Sequence, residues 1–238
     1  MKEVRFDIYL YISSIKLEVA VFEKSDPIKS VFFKEFDCEA NLNKQQINFK
    51  EVEKIIEKNI FEIEKLTGNF LNDIYLIVDT PDSLKIGISL LKNNEDKKIQ
   101  EKDVKYLIQD GKQQILRSNF NDDIIHIIVS DYVVDDVKYK YLPLNKNCKK
   151  FSLNIEFICF PKVLIKKLKE LFNKYQISIN KIICGNYVKS FNSGGDTKVN
   201  ICAIGLSLVE GANKQEVVII PKRLEKKGFF ERLFHLFS

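Results

Sequence analysis

The chain has 238 residues, 45% of them hydrophobic and 30% charged, with 38 Lys+Arg against 33 Asp+Glu for a formal charge of +5. That composition describes a globular chain with enough apolar residues for a sizeable core, and its mild, dispersed positive charge is not the clustered excess of a nucleic-acid binder. No apolar run reaches the roughly 18 residues of a membrane span, the first residues alternate polar and apolar in a way no signal peptide does, and two histidines exclude a histidine-rich metal site. Cys38, Cys148, Cys159, Cys184 and Cys202 are far apart with no C-x-x-C, as expected of reduced core cysteines.

Three apolar-rich runs open the chain, at about 4–12, 15–23 and 28–36, with Pro27 and the charged Glu23–Asp26 cluster turning the second into the third. Ile47, Val52, Ile55, Ile56, Ile60, Ile63 and Leu66 recur at helical spacing, so a helix is predicted over 46–66, ended by Gly68. Ile74–Val78 is a short continuous apolar run of the kind that forms a buried strand. Strands follow at 84–91, 124–129 with an extension at 132–134, 151–160, 177–184 and 216–220, and residues 92–98 read as a charged loop. Helices are predicted at 101–117, 161–175 and 199–210, with Pro161 in the first turn of the second. Strand, helix, strand and strand within 84–160 form a compact unit set inside an outer α/β layer.

The strongest local signal lies in the last eleven residues. On a helix, Phe229, Phe230, Leu233, Phe234, Leu236 and Phe237 fall within an arc of about 160°, and Glu231, Arg232, His235 and Ser238 take the other side. Lys222, Arg223, Lys226 and Lys227 precede them, diluted by Glu225. A helix of about 16 Å cannot span a bilayer, yet it can lie in the interface, with its apolar face among acyl chains and the basic stretch against anionic headgroups. The alternative is a terminal helix packed on its own domain; the charged linker and the phenylalanine density favour the membrane.

Several stretches now carry a resemblance. Residues 100–136 (QEKDVKYLIQDGKQQILRSNFNDDIIHIIVSDYVVDD) are similar to the inserted subdomain of FtsA, the actin-like protein that ties the bacterial division ring to the membrane; Ile124–Ile127 resembles its "ILHV" strand and Asp131–Asp136 its "EYIVDG" stretch. Residues 198–211 (KVNICAIGLSLVEG) resemble its "YATAIGLAL" helix, and the last residues its linker and membrane-targeting helix. The resemblance implies an α/β (α+β) fold: an actin/ribonuclease H-like first domain over 1–83 and 161–221, a strand-helix-strand-strand subdomain at 84–160, a basic linker at 222–227 and an amphipathic helix at 228–238.

The departures from that family shape the functional expectation. The family's phosphate-binding turn, D-I-G-T-S-K, corresponds to Tyr11-Ile12-Ser13-Ser14-Ile15-Lys16, with tyrosine for the aspartate and serine for the glycine. The sequence then passes from Lys189 through Asn192–Lys198 to the terminal helix, so the second actin-like domain is expected to be absent, and with it the adenosine pocket and the docking surface for FtsZ. The expectation is a non-enzymatic adaptor on the cytoplasmic face of the inner membrane, with no catalytic, cofactor or metal-binding residues and the ATP site lost. It would bind anionic lipids through the ten tail residues named above and contact division proteins, FtsZ among the candidates, with self-association through the inserted subdomain and no nucleic acid. Two alternatives stay open: a divergent ATP-binding protein using Lys16 and Ser193–Thr197, and a PilM-like scaffold of a pilus or secretion assembly. His126, five residues before Asp131, reads as a buried or edge-strand histidine, Asp122-Asp123 and Asp135-Asp136 as turn residues, and Lys166, Lys167, Lys169 and Lys174 as a solvated helix face.

Overall fold

The computed structural model describes residues 4–38, 46–192 and 200–217. Strands β1 (Phe6–Ile12), β2 (Lys16–Glu23) and β3 (Lys29–Asp37) form an antiparallel meander. Helix α1 (Phe49–Thr67) leads to β4 (Asp73–Val78), which pairs parallel to β1 on its other side. Two further strands are far apart in sequence from these: β5 (Leu84–Lys98) begins a second sheet, and β9 (Ser178–Cys184) returns to pair parallel to β4. The main sheet therefore runs β3-β2-β1-β4-β9, with β2 alone reversed. This is the strand plan of the actin/ribonuclease H-like fold.

Between β5 and β9 lie α2 (Glu101–Ser118), β6 (Asp122–Val134), β7 (Val137–Tyr139), β8 (Asn147–Pro161) and α3 (Lys162–Asn173). The second sheet is antiparallel, in the order β5-β8-β6-β7. After β9 come a short α4 (Gly185–Lys189) and α5 (Ile201–Val209).

Sequence explains most of these elements. Asn48 caps α1 by accepting from the Glu51 N–H, and Gly68 ends it at φ 70°, its own N–H bonded to the Glu64 carbonyl 2.8 Å away. Gln100 and Asp103 form a capping box at α2, and Asp103 is also paired with Lys92. Gly111 lets α2 sit close on its sheet, since a Cβ there would lie 2.7 Å from Leu90 Cδ1 and 3.3 Å from Phe157 Cζ. In the main sheet, residues 33 and 34 point to opposite faces. Lys34 pairs with Glu62 of α1, whereas Phe33 lies in register with Ala20 and Tyr9, on the face where Gly205 of α5 meets Tyr9 and Ile77. Helices α1 and α5 thus cover opposite faces. Two apolar cores result, one around Ile12, Leu76 and Phe172, the other around Leu107, Phe151 and Phe157.

Four local expectations are corrected. Residues 92–98 belong to β5 and are not a loop: the chain bulges out between Asn93 and Lys97, with Glu95 and Asp96 at positive φ, and then rejoins β8. Strand β6 is continuous from 122 to 134, absorbing two bulges instead of breaking, and Asp122-Asp123 open it. Pro161 closes β8 and caps α3 from outside. Within 216–220 the described part is an isolated bridge between Glu216 and Ile128; residues 218–220 lie outside the described residues. Strand β7 and helix α4 were not anticipated. Asp135 and Asp136, at φ 45° and 67°, do form the expected turn, joining β6 to β7.

Candidate functional site

In a parallel sheet the natural crevice opens at the carboxyl ends of the strands, where the chain leaves in opposite directions. Here β1 leaves toward β2 and β4 toward the second sheet. Tyr11 near the end of β1, Asp79 just after β4 and Lys189 at the end of α4 meet at this point. The Tyr11 hydroxyl donates to Asp79 Oδ2 at 2.9 Å, Lys189 Nζ donates to the same oxygen, and the ammonium lies 5.7 Å from the Tyr11 ring centroid. Burial, and then the Asp79 charge, push the Tyr11 hydroxyl above its ordinary pKa. Burial opposes the charge on Lys189, but its bonds to Asp79 and Tyr11 outweigh this and hold the ammonium above its usual value. Gly185 allows α4 to reach the site: a Cβ there would be 2.7 Å from Asp79 Cβ and 2.9 Å from its Cα.

The groups that a phosphate-binding crevice would offer have partners within the chain. A phosphate turn must offer free backbone N–H groups, but Ser13 Oγ accepts from the N–H of Lys16 at 2.9 Å and of Ile15 at 3.4 Å. Lys16 Nζ is paired with Glu18 on β2 at 2.9 Å and Glu35 on β3 at 2.7 Å. The Asp79 carboxylate is already answered by a lysine and a phenol. Among the described residues no group of three His, Cys, Asp or Glu side chains could hold a metal ion.

A second polar cluster joins the two sheets. His126 is 2% exposed. Its Nε2 accepts from the Cys184 N–H at 2.9 Å and its Nδ1 lies 2.9 Å from Glu216 Oε1. With Nε2 an acceptor, the neutral ring donates from Nδ1. Lys181 Nζ reaches the same oxygen at 3.0 Å, and the Tyr187 hydroxyl reaches Oε2 at 3.1 Å. Burial disfavours the Glu216 charge, but its bonds to His126 and Lys181 prevail and hold the carboxyl at about 2; burial pushes His126 down. The backbone joins in: Val129 N–H donates to Gln215 and Val217 N–H to Ile127. The last described residues are therefore clamped to β6.

Beside this clamp, α2, β6, α3 and β9 enclose a groove of about 490 Å³. Its apolar lining is Leu116, Ile124, Ile125, Ile165, Ile179 and Ile182, and Lys112, Lys169 and Lys181, with one acid, Asp123, stand on its rim. Strand β9 is the edge of the main sheet. Its Cys184 N–H points outward to His126, and by strand alternation Ile182 directs its backbone groups the same way, into the groove. The lysine face of α3 is only partly a free solvated face: Lys166 pairs with Glu170, Lys174 with Glu53, and Lys167 lies over the Phe49 ring.

The tail residues Lys222, Arg223, Lys226, Lys227, Phe229, Phe230, Leu233, Phe234, Leu236 and Phe237, and the loop Ser193–Thr197, lie outside the described residues. Among those described, no helix is long and apolar enough to cross a membrane. The sequence had marked Tyr11 and Ser13 as departures from a phosphate turn, but Asp79, Lys189 and Glu216 carried no such mark. They come from segments 68 to 178 positions away from Tyr11 or 90 from His126, and have no spacing to betray them.

No family model matches the chain, and no curated protein does. Solved structures do. A PilM–PilN type IV pilus biogenesis complex aligns over 76% of this chain and 48% of that one, with TM-score 0.47 and 8% identity. The cytoplasmic domain of EpsL, an inner-membrane component of the type II secretion system of Vibrio cholerae, aligns over 77% and 59%, with TM-score 0.40 and 4% identity. A Bacteroides thetaiotaomicron protein of actin-like ATPase fold and unknown function aligns over 80% and 56%, with TM-score 0.32 and 12% identity. The chain spans about half the length of these structures.

Proposed function

We propose that this chain is a non-catalytic scaffold of a membrane-associated protein assembly. The observation that carries the reading is the crevice of the main sheet, where Tyr11 and Lys189 both bond Asp79 and the β1–β2 turn satisfies its own N–H groups. An actin-like domain with that crevice closed has its protein-binding surfaces left to work with. The groove along β9 suits an extended segment of a partner: an open strand edge for main-chain bonds, isoleucines for alternate side chains, and rim lysines for acidic neighbours. The tail at 222–238 would tether the complex to anionic lipid on the cytoplasmic face of the inner membrane.

Pilus and secretion assemblies come ahead of the division ring as places to look. Two of the structures above are components of such machines, and the third is of unknown function. Likeness at that level concerns fold alone, so the sequence resemblance to FtsA keeps the division ring as the second reading. Surface plasmon resonance of the full chain against purified FtsZ and against a PilN-type protein separates the two. Saturable binding to one of them is expected, weakened about tenfold or more by Lys112→Glu with Lys169→Glu, since each rim charge contributes roughly 1 kcal/mol to a complementary contact. Binding to neither partner would contradict the scaffold reading in both forms.

A further inference from the structure

The far end of the second sheet has a composition unlike the rest of the surface. Between Val137 and Lys150 there are five lysines, Lys138, Lys140, Lys146, Lys149 and Lys150, all exposed, and no acidic residue. The register of β5 against β8 brings Lys97 and Lys98 to the same end. The acids there are Glu95, Asp96, Asp135 and Asp136. Glu95 is paired with Lys97, and Asp135 accepts the backbone N–H groups of Lys149 and Lys150. Positive charge is thus in excess. Three apolar side chains project from it: Tyr141 at 65% exposure, Val137 at 53% and Leu144 at 44%.

We infer that this tip is a second membrane contact, specific for anionic lipid. Lysines around a few projecting apolar side chains match a lipid interface, which takes the apolar groups below the headgroups and holds the ammonium groups among the phosphates. Nucleic acid fits less well, because Tyr139, the aromatic of β7, is occupied under Lys146, with the ammonium 4.5 Å from its ring centroid. The tip is also within reach of the tail. Glu216 pairs with Ile128, and the chain then runs antiparallel to β6, so Val217 leaves level with Ile127, about 24 Å from Val134 at a rise of 3.4 Å per residue. The stretch from 218 to the first tail phenylalanine reaches about 36 Å when extended. Tip and tail can therefore meet one surface, and two attachments would fix how the groove faces the membrane where one would leave it free to swivel. In this respect the inference deepens the membrane-tethered reading above.

The chain has no tryptophan, so Tyr141→Trp gives the full chain a single reporter. Its emission is expected to shift to the blue with vesicles of phosphatidylglycerol and phosphatidylcholine, and not with phosphatidylcholine alone. Adding Lys138→Ser, Lys140→Ser, Lys149→Ser and Lys150→Ser should raise the lipid needed for half the shift at least about tenfold, with an unchanged circular dichroism spectrum. A parallel arm carries Phe230→Ser and Phe234→Ser and is followed by sedimentation with the same vesicles. If emission does not move while sedimentation depends on the phenylalanines, the tip inference is overturned and the tail reading stands. If emission shifts and sedimentation ignores the phenylalanines, the tip stands and the tail reading falls. A shift with single-stranded nucleic acid but not with vesicles would also overturn the inference.

Discussion

His126 owes its role to a single extra residue. Ile124 lies opposite Cys159 and His126 opposite Ile158, so Ile125 is a bulge in β6. Strand alternation alone would put His126 on the same face as Ile124, against α2. The bulge moves it to the face of Ile158, where β9 and Glu216 wait. The folded ring resists a proton that the unfolded chain takes up below about 6.5, and folded Glu216, held at about 2, stays charged where the unfolded carboxyl does not below about 4.5. Both groups have depressed folded pKa values, so both add stability that is complete at neutral pH and lost in acid: His126 from about 6.5 downward, Glu216 between about 4.5 and 2. His126→Ala should cost about 2–4 kcal/mol in urea unfolding at pH 7, because a buried carboxylate and the Cys184 N–H each lose a partner. It should also flatten the fall in stability between pH 7 and 5. An equal slope in both proteins would place the titrating group elsewhere. The sequence indicated a buried histidine here but not its partner, since nothing local to either residue couples positions 126 and 216.

At the scale of elements, periodicity located α1 and α2 because each has one apolar stripe and a recognisable end, such as Gly68 at φ 70° or the Gln100–Asp103 box. Bulges defeated the same reasoning. A chain that leaves a strand for three residues and rejoins it, as at Glu95–Asp96, has the composition of a loop and the pairing of a strand. Helix α4, at five residues, is too short to show a period. Its placement depends on Gly185, whose missing Cβ leaves room for the backbone of Asp79. Gly185→Ala should therefore destabilise the fold by about 1–3 kcal/mol, the usual range for overpacking, and Lys189 should be displaced from Asp79. Gly87→Ala is the control: nothing lies within 4 Å of a Cβ there, and relief of glycine's backbone entropy should leave stability unchanged or raise it by up to about 1 kcal/mol. Thermal unfolding of the two variants side by side is the check, and equal effects would show that the close approach at Asp79 carries no energetic weight.

For the molecule as a whole, the order of elements in the sequence indicated three strands, a helix and a strand in one α/β layer with a strand-helix-strand-strand unit set inside it, and the fold adds the strand directions and the order β3-β2-β1-β4-β9. The candidate site was only half legible. Tyr11 and Ser13 could be seen as departures from a phosphate turn, but the contacts at the crevice need Asp79 and Lys189, which the fold alone brings to Tyr11. Everything proposed here, from the partner groove to the two membrane contacts, presupposes that this crevice does not work on a nucleotide. Isothermal titration of the full chain with ATP and Mg²⁺ tests this most directly. No saturable heat is expected up to millimolar nucleotide, for the wild type and for Asp79→Asn alike; a dissociation constant in the micromolar range, abolished by Asp79→Asn, would contradict this reading.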